Sequence, residues 1–178
     1  MKYNPQKRHR RSIRLKGYDY SQAGAYFITI CTKNRKCLFG QVVNGEMILN
    51  EMGQIAYDEW LKTPELRSNV SLDVFVIMPN HMHGIVVILD QAECDSPIPM
   101  PMPMQASPFR SPSNNIGAIA RGYKSSVTKQ INLLNYSGSV WHRNYHEHII
   151  RTEQSYHLIS DYIINNPKKW NDDKFYMK

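Results

Sequence analysis

At 178 residues and a net charge of +7, the chain is long enough for one domain with a sizeable core, and no apolar run approaches the length that spans a bilayer. The basic start lacks the apolar stretch of a secretory signal. Cys31, Cys37 and Cys94 are an odd count without a ligand spacing, so free thiols in a cytoplasmic protein are expected rather than disulfides or a zinc site. The charge is unevenly placed. Lys2, Lys7, Arg8, Arg10, Arg11, Arg14 and Lys16 fall in the first sixteen residues without an acid. No Asp or Glu lies between Asp95 and Glu147, an interval that holds Arg110, Arg121, Lys124, Lys129 and Arg143. A surface free of carboxylates suits a polyanion and points to nucleic acid.

In chain order, residues 25–33 form a β-branched and aromatic run that predicts a buried strand. Residues 38–43 and 46–49 flank Asn44-Gly45, a two-residue hairpin signal. Asn50 is placed to cap a helix whose Met52, Ile55, Ala56 and Trp60 share a face despite Gly53, and Pro64 limits its end. Residues 71–90 read as two strands joined at Pro79-Asn80, apolar at nearly every position as central strands are. Repeated proline in residues 91–114 bars regular helix or central strand and predicts an extended insertion. Residues 116–134 return to helix, with Ile119, Tyr123, Val127 and Ile131 at four-residue steps. A segment without an assigned element, 139–151, leads to a last helix over 153–166, capped by Thr152 and ended by Pro167. This order predicts a single α+β domain over 1–178, an antiparallel sheet with helices packed on it. A basic arm (1–16) and a Pro/Met-rich insertion (about 91–114) are its appendages.

Two short patterns carry chemistry. In Met78-Pro79-Asn80-His81-Met82-His83, alternate strand residues share a face, which sets the two histidines about 6.6 Å apart at Cα. Two neutral imidazoles make half a site for a divalent ion, and burying both without a partner is costly. On the last helix Tyr162 and Asn166 are four apart and neighbours on one face, although Asn165 at three shares that face as well. An Asn amide oxygen given to the ion sets the tyrosine hydroxyl beside it. A cation that polarises a phosphodiester eases attack by this otherwise weak nucleophile. Arg143 and Arg151, near that site, are candidates for phosphate contact, and Arg121 and Lys124 for lining a DNA path. Trp141 and Tyr145 could stack on bases, with core packing favoured for Trp141.

Taken together, His81-Met82-His83, the Tyr162…Asn166-Pro167 helix and the intervening Trp141-His142-Arg143-Asn144-Tyr145 and His148-Ile149-Ile150-Arg151 resemble the single-tyrosine HUH transposases, in particular the REP-associated tyrosine transposase branch. His142 departs from the glutamine common there. The resemblance implies a ferredoxin-like sheet with the histidines on a central strand, and Mg²⁺ or Mn²⁺ held by His81, His83 and Asn166. It also implies cleavage and rejoining of single-stranded DNA near hairpins through a 5′-phosphotyrosine on Tyr162. Monomeric and dimeric arrangements are both open, with no membrane partner. Two other readings compete: a hydrolytic metallonuclease with Tyr162 structural, and a DNA-binding protein that no longer cuts.

Overall fold

The structure, a computed structural model, describes residues 18–90 and 115–176. The basic arm and the Pro/Met-rich insertion, with Cys94, lie outside the described residues. Strands β1 (Gly24–Cys31), β2 (Gly40–Val43) and β3 (Glu46–Leu49) precede helix α1 (Glu51–Leu61). Then follow β4 (Val70–Met78), β5 (His81–Ile88), α2 (Ile116–Leu133), β6 (His146–Ile150) and α3 (Glu153–Ile164). The main sheet has the order β4-β5-β1-β6, antiparallel throughout. The chain path β1-α1-β4-β5-α2-β6 through that order is the ferredoxin-like arrangement, with the β2–β3 hairpin inserted before α1.

The pleat sorts the side chains into two layers. Tyr26, Ile28, Ile30, Met82 and Val86 cluster with Trp60 of α1 and with Tyr123, Val127 and Ile131 of α2. The opposite face packs Ile85 and Ile150 against Ile163 of α3, with Phe27, Val76 and Ile159 alongside. The four-residue apolar step predicted for α2 is buried at every position. Asn50 caps α1 by accepting from the Gly53 amide, and Thr152 caps α3 by accepting from Ser155. At the hairpin, Asn44 and Gly45 have φ of 52° and 81°, the left-handed pair that a tight two-residue turn needs.

Gly53 has a packing reason. A Cβ there would lie 2.0 Å from the Phe39 carbonyl oxygen. Alanine improves helix propensity by about 1 kcal/mol, but overpacking of this kind costs about 1–3 kcal/mol. Gly53→Ala is therefore expected to lower stability by up to about 2 kcal/mol net in urea unfolding; a more stable variant would contradict the close approach.

Two elements depart from expectation. Residues 146–150 form a strand where none was predicted. The alternation of His146, Glu147 and His148 lacks apolar character, so pairing with β1 defines this edge strand. The last helix stops at Ile164, with Asn165 as its C-cap. Pro167 does not end the helical path; it opens a 3-10 segment, Pro167–Asp172, with Asn166 as its N-cap. Proline fits there because its fixed φ and missing N–H suit a first turn. No helix among the described residues is long and apolar enough to cross a membrane.

Candidate metal and nucleophile site

The register places the histidines centrally. His81 faces Cys31 across β5–β1, and His83 faces Thr29, which in turn faces His146 on β6. Both imidazoles are fully buried, with ring centroids 4.5 Å apart, while Met82 between them enters the α1/α2 layer. Each ring is fixed through Nδ1. Thr29 Oγ1 lies 2.8 Å from His83 Nδ1, and Asn80 Oδ1 lies 2.9 Å from His81 Nδ1. A ring that donates from Nδ1 keeps its Nε2 lone pair free, the state in which a histidine ligates.

Alpha3 brings the remaining groups over this face. The Tyr162 hydroxyl is 3.2 Å from His83 Nε2 and 3.4 Å from Asp173 Oδ2. Asn166 is 2% exposed and donates from Nδ2 to the same Asp173 oxygen at 2.9 Å. Of the two asparagines, Asn166 is the one that bonds within this cluster; Asn165 is half-buried and its amide donates to the Asp161 carbonyl. His81 Nε2 and Asn166 Oδ1 are buried and have no hydrogen-bond partner. Such atoms are uncommon in folded proteins. Two orphaned Lewis-basic atoms beside the His83–Tyr162 pair are what a divalent ion would satisfy, so the residues fit a metal. His81, His83 and Asp173 in addition offer donor atoms all within 4.8 Å of one another.

Burial controls protonation here. It pushes His81 down to about 4, the negative charge of Asp173 only partly opposing it. Burial and the neighbouring His81 hold His83 well below its ordinary range. Burial, then Asp173, push the Tyr162 hydroxyl up to about 12. Both histidines are thus neutral at pH 7, and their folded values lie below the unfolded value near 6.5. The stability this gives is complete above pH 6.5 and is lost as pH falls toward 4. Urea unfolding of metal-free protein should show that loss between pH 7 and 4.5, and a His81→Asn, His83→Asn double variant should show less of it. An equal acid dependence in both proteins would contradict the assignment.

The predicted DNA contacts do not join this cluster. Arg121 is exposed on α2, across the sheet from the site. The Lys124 ammonium reaches the His142 and Arg143 carbonyls at 2.7 and 3.0 Å, bracing that segment. Arg143 is exposed between His142 and Asn144, which line a cleft of about 1160 Å³. Arg151 is exposed just past β6. Trp141 is core, donating to the Lys124 carbonyl at 3.0 Å. Tyr145, Phe27 and Phe175 line the cleft. Phe27 also packs edge-on to Tyr162 at 6.2 Å, and Phe175 packs 4.6 Å from His81, so the cleft adjoins Tyr162 and the histidine pair.

Three positions at the candidate site carry no sequence signal for a role there. Thr29 sits in a strand run where hydroxyl and apolar residues are equally at home. Asn80 reads as a turn residue, yet its side chain also bonds the Arg35 and Phe175 carbonyls. Asp173 carries no pattern; only the 3-10 segment after Pro167 returns it to the site.

No protein-family model matches the chain. An uncharacterized protein of Haemophilus influenzae is 45% identical over 176 residues, covering 99% of this chain and 98% of that protein. Among solved structures, the REP-associated tyrosine transposase bound to a REP hairpin superposes with a TM-score of 0.59 at 21% identity, over 91% of this chain and 77% of that one. The chain belongs to the family of the Haemophilus influenzae protein, and its fold is that of the REP-associated tyrosine transposase.

Proposed function

We propose that the protein is a single-tyrosine DNA transposase that cuts and rejoins single-stranded DNA beside hairpins. The observation that carries this reading is the Tyr162 hydroxyl, 3.2 Å from His83 Nε2, beside the two unpartnered buried donors His81 Nε2 and Asn166 Oδ1. His81, His83 and Asn166 would hold Mg²⁺ or Mn²⁺, which when bound supplies Lewis-acid polarisation of the phosphate and charge stabilisation. Tyr162 Oη attacks the phosphorus and the bond to the 3′ oxygen breaks. The phosphoryl group stays on the tyrosine as a 5′-phosphotyrosine, and the leaving oxygen takes up a proton to become a 3′-hydroxyl. The tyrosyl proton has Asp173 Oδ2 as an acceptor in reach at 3.4 Å. A 3′-hydroxyl from a second strand reverses the step, because the covalent link conserves the phosphodiester energy.

The cleft beside Tyr162 is the natural path for unpaired nucleotides, with aromatic walls to stack on bases. Arg143 and Arg151, at the two ends of the edge strand, would meet the backbone phosphates. Arg121, across the sheet, lies off this path, and Lys124 would act chiefly by holding the Arg143 segment in place. The REP hairpin bound by the structural neighbour supports hairpin DNA as the substrate class. The test is incubation with hairpin DNA carrying single-stranded flanks and Mn²⁺, followed by a denaturing gel. A protein–DNA band that survives denaturation is expected. Cleavage without any such band would favour the hydrolytic reading, and binding without cleavage the non-cutting one.

A further inference from the structure

We propose that Asp173 is a fourth ligand-position residue of this site and that it biases the site toward hard divalent ions. The proposal rests on the metal reading above. Two imidazoles and an amide are a neutral donor set, and nitrogen-rich sets hold later transition metals more tightly than Mg²⁺ or Mn²⁺. A carboxylate oxygen is the donor those harder ions take. Among the described residues, Asp173 is the acidic group whose donor atom joins those of His81 and His83 within 4.8 Å. An ion bound to neutral ligands alone would set two uncompensated charges against the buried His81, His83 and Asn166 side chains, a costly arrangement that one carboxylate relieves.

Asp173 is also built to act on its neighbours. Its Oδ1 accepts from the Phe175 amide at 2.6 Å, which fixes the carboxylate in a turn. That turn is tied back to the histidines, since Asn80 donates to the Phe175 carbonyl at 2.8 Å while its own oxygen faces His81 Nδ1. The other oxygen, Oδ2, accepts from Asn166 Nδ2, which orients the amide so that the unpartnered Asn166 Oδ1 remains free for an ion. Without that acceptor nothing distinguishes the two ends of the amide. One carboxylate thus joins the donor set and aims another member of it.

Calorimetric titration of the full chain with Mn²⁺ and with Zn²⁺ tests this, using wild type, Asp173→Asn and Asp173→Glu, with melts of the metal-free proteins to verify folding. Asp173→Asn is expected to weaken Mn²⁺ at least about tenfold and Zn²⁺ by much less, so that the Mn²⁺/Zn²⁺ preference falls. Asp173→Glu, which keeps the carboxylate, is expected to retain most of the Mn²⁺ affinity. Unchanged Mn²⁺ affinity in Asp173→Asn, or equal losses for both ions, overturns the proposal and leaves the His81–His83–Asn166 reading intact. A wild-type protein that takes up neither ion overturns both.

Discussion

Tyr162→Phe should abolish the covalent protein–DNA band and lower strand cleavage by on the order of 10⁴-fold or more, the scale seen when a nucleophile is removed from a preorganised site. The substitution deletes one oxygen and leaves the ring, which packs against Phe27 at 6.2 Å and His83 at 5.2 Å. The hydroxyl belongs to a side chain 39% exposed, so losing its hydrogen bonds should cost no more than about 1 kcal/mol of stability. The contrast in scale makes the variant informative: a folded protein that retains DNA affinity but forms no adduct. DNA cleavage persisting at wild-type rates would assign the attack to water and leave Tyr162 a wall of the site.

His83→Ala should weaken Mn²⁺ binding by on the order of 100-fold and reduce cleavage by about 10³-fold. The ring does more than offer one donor. It stacks on Phe27 at 5.3 Å, is held by Thr29, and lies 3.2 Å from the Tyr162 hydroxyl. Removing it is therefore expected to loosen Tyr162 as well as the proposed ion. Thr29→Val, which leaves the ring but removes its orienting oxygen, should cost less, about 10-fold in metal affinity. Titration calorimetry and gel-based cleavage on the three proteins check this ranking. Equal metal affinity in His83→Ala and wild type would contradict the proposed ligand set.

The extent to which this architecture can be read from sequence differs by element for physical reasons. Strand alternation is short-range geometry, so His81 and His83 fall on one face and Met82 on the other whatever the rest of the chain does. The four-residue apolar step in α2 and the Asn50 and Thr152 caps are equally local, and each is found where its pattern placed it. Beta6 is different. Its strand character comes from pairing with β1, between residues more than a hundred positions apart, and an edge strand open to a cleft has no need of an apolar run. Without it, the fourth strand of the ferredoxin-like order was missing from the sequence reading. At the site, the four-residue spacing places Tyr162 and Asn166 together even though the helix ends at Ile164, because Asn166 keeps a helical backbone with φ −58° and ψ −42°. Asp173 depends on the proline-led 3-10 segment it caps, and no spacing rule reports where such a segment delivers the residue that follows it.

The same geometry explains why the site should respond as a unit. Tyr162 and Asn166 both hang on Asp173 Oδ2, and Asp173 is tied through Phe175 and Asn80 to His81. Tyr162 and the candidate ligands are coupled through side chains as well as through the backbone that runs from α3 into the 3-10 segment.

The most direct measurement of the central claim is peptide mapping of the product formed with Mn²⁺ and a hairpin DNA. After protease and nuclease digestion, the mass of a 5′-linked nucleotide should sit on the peptide that contains Tyr162, with a free 3′-hydroxyl on the released strand. A nucleotide on any other residue, or a cut strand bearing a 5′-phosphate and no modified peptide, would contradict it.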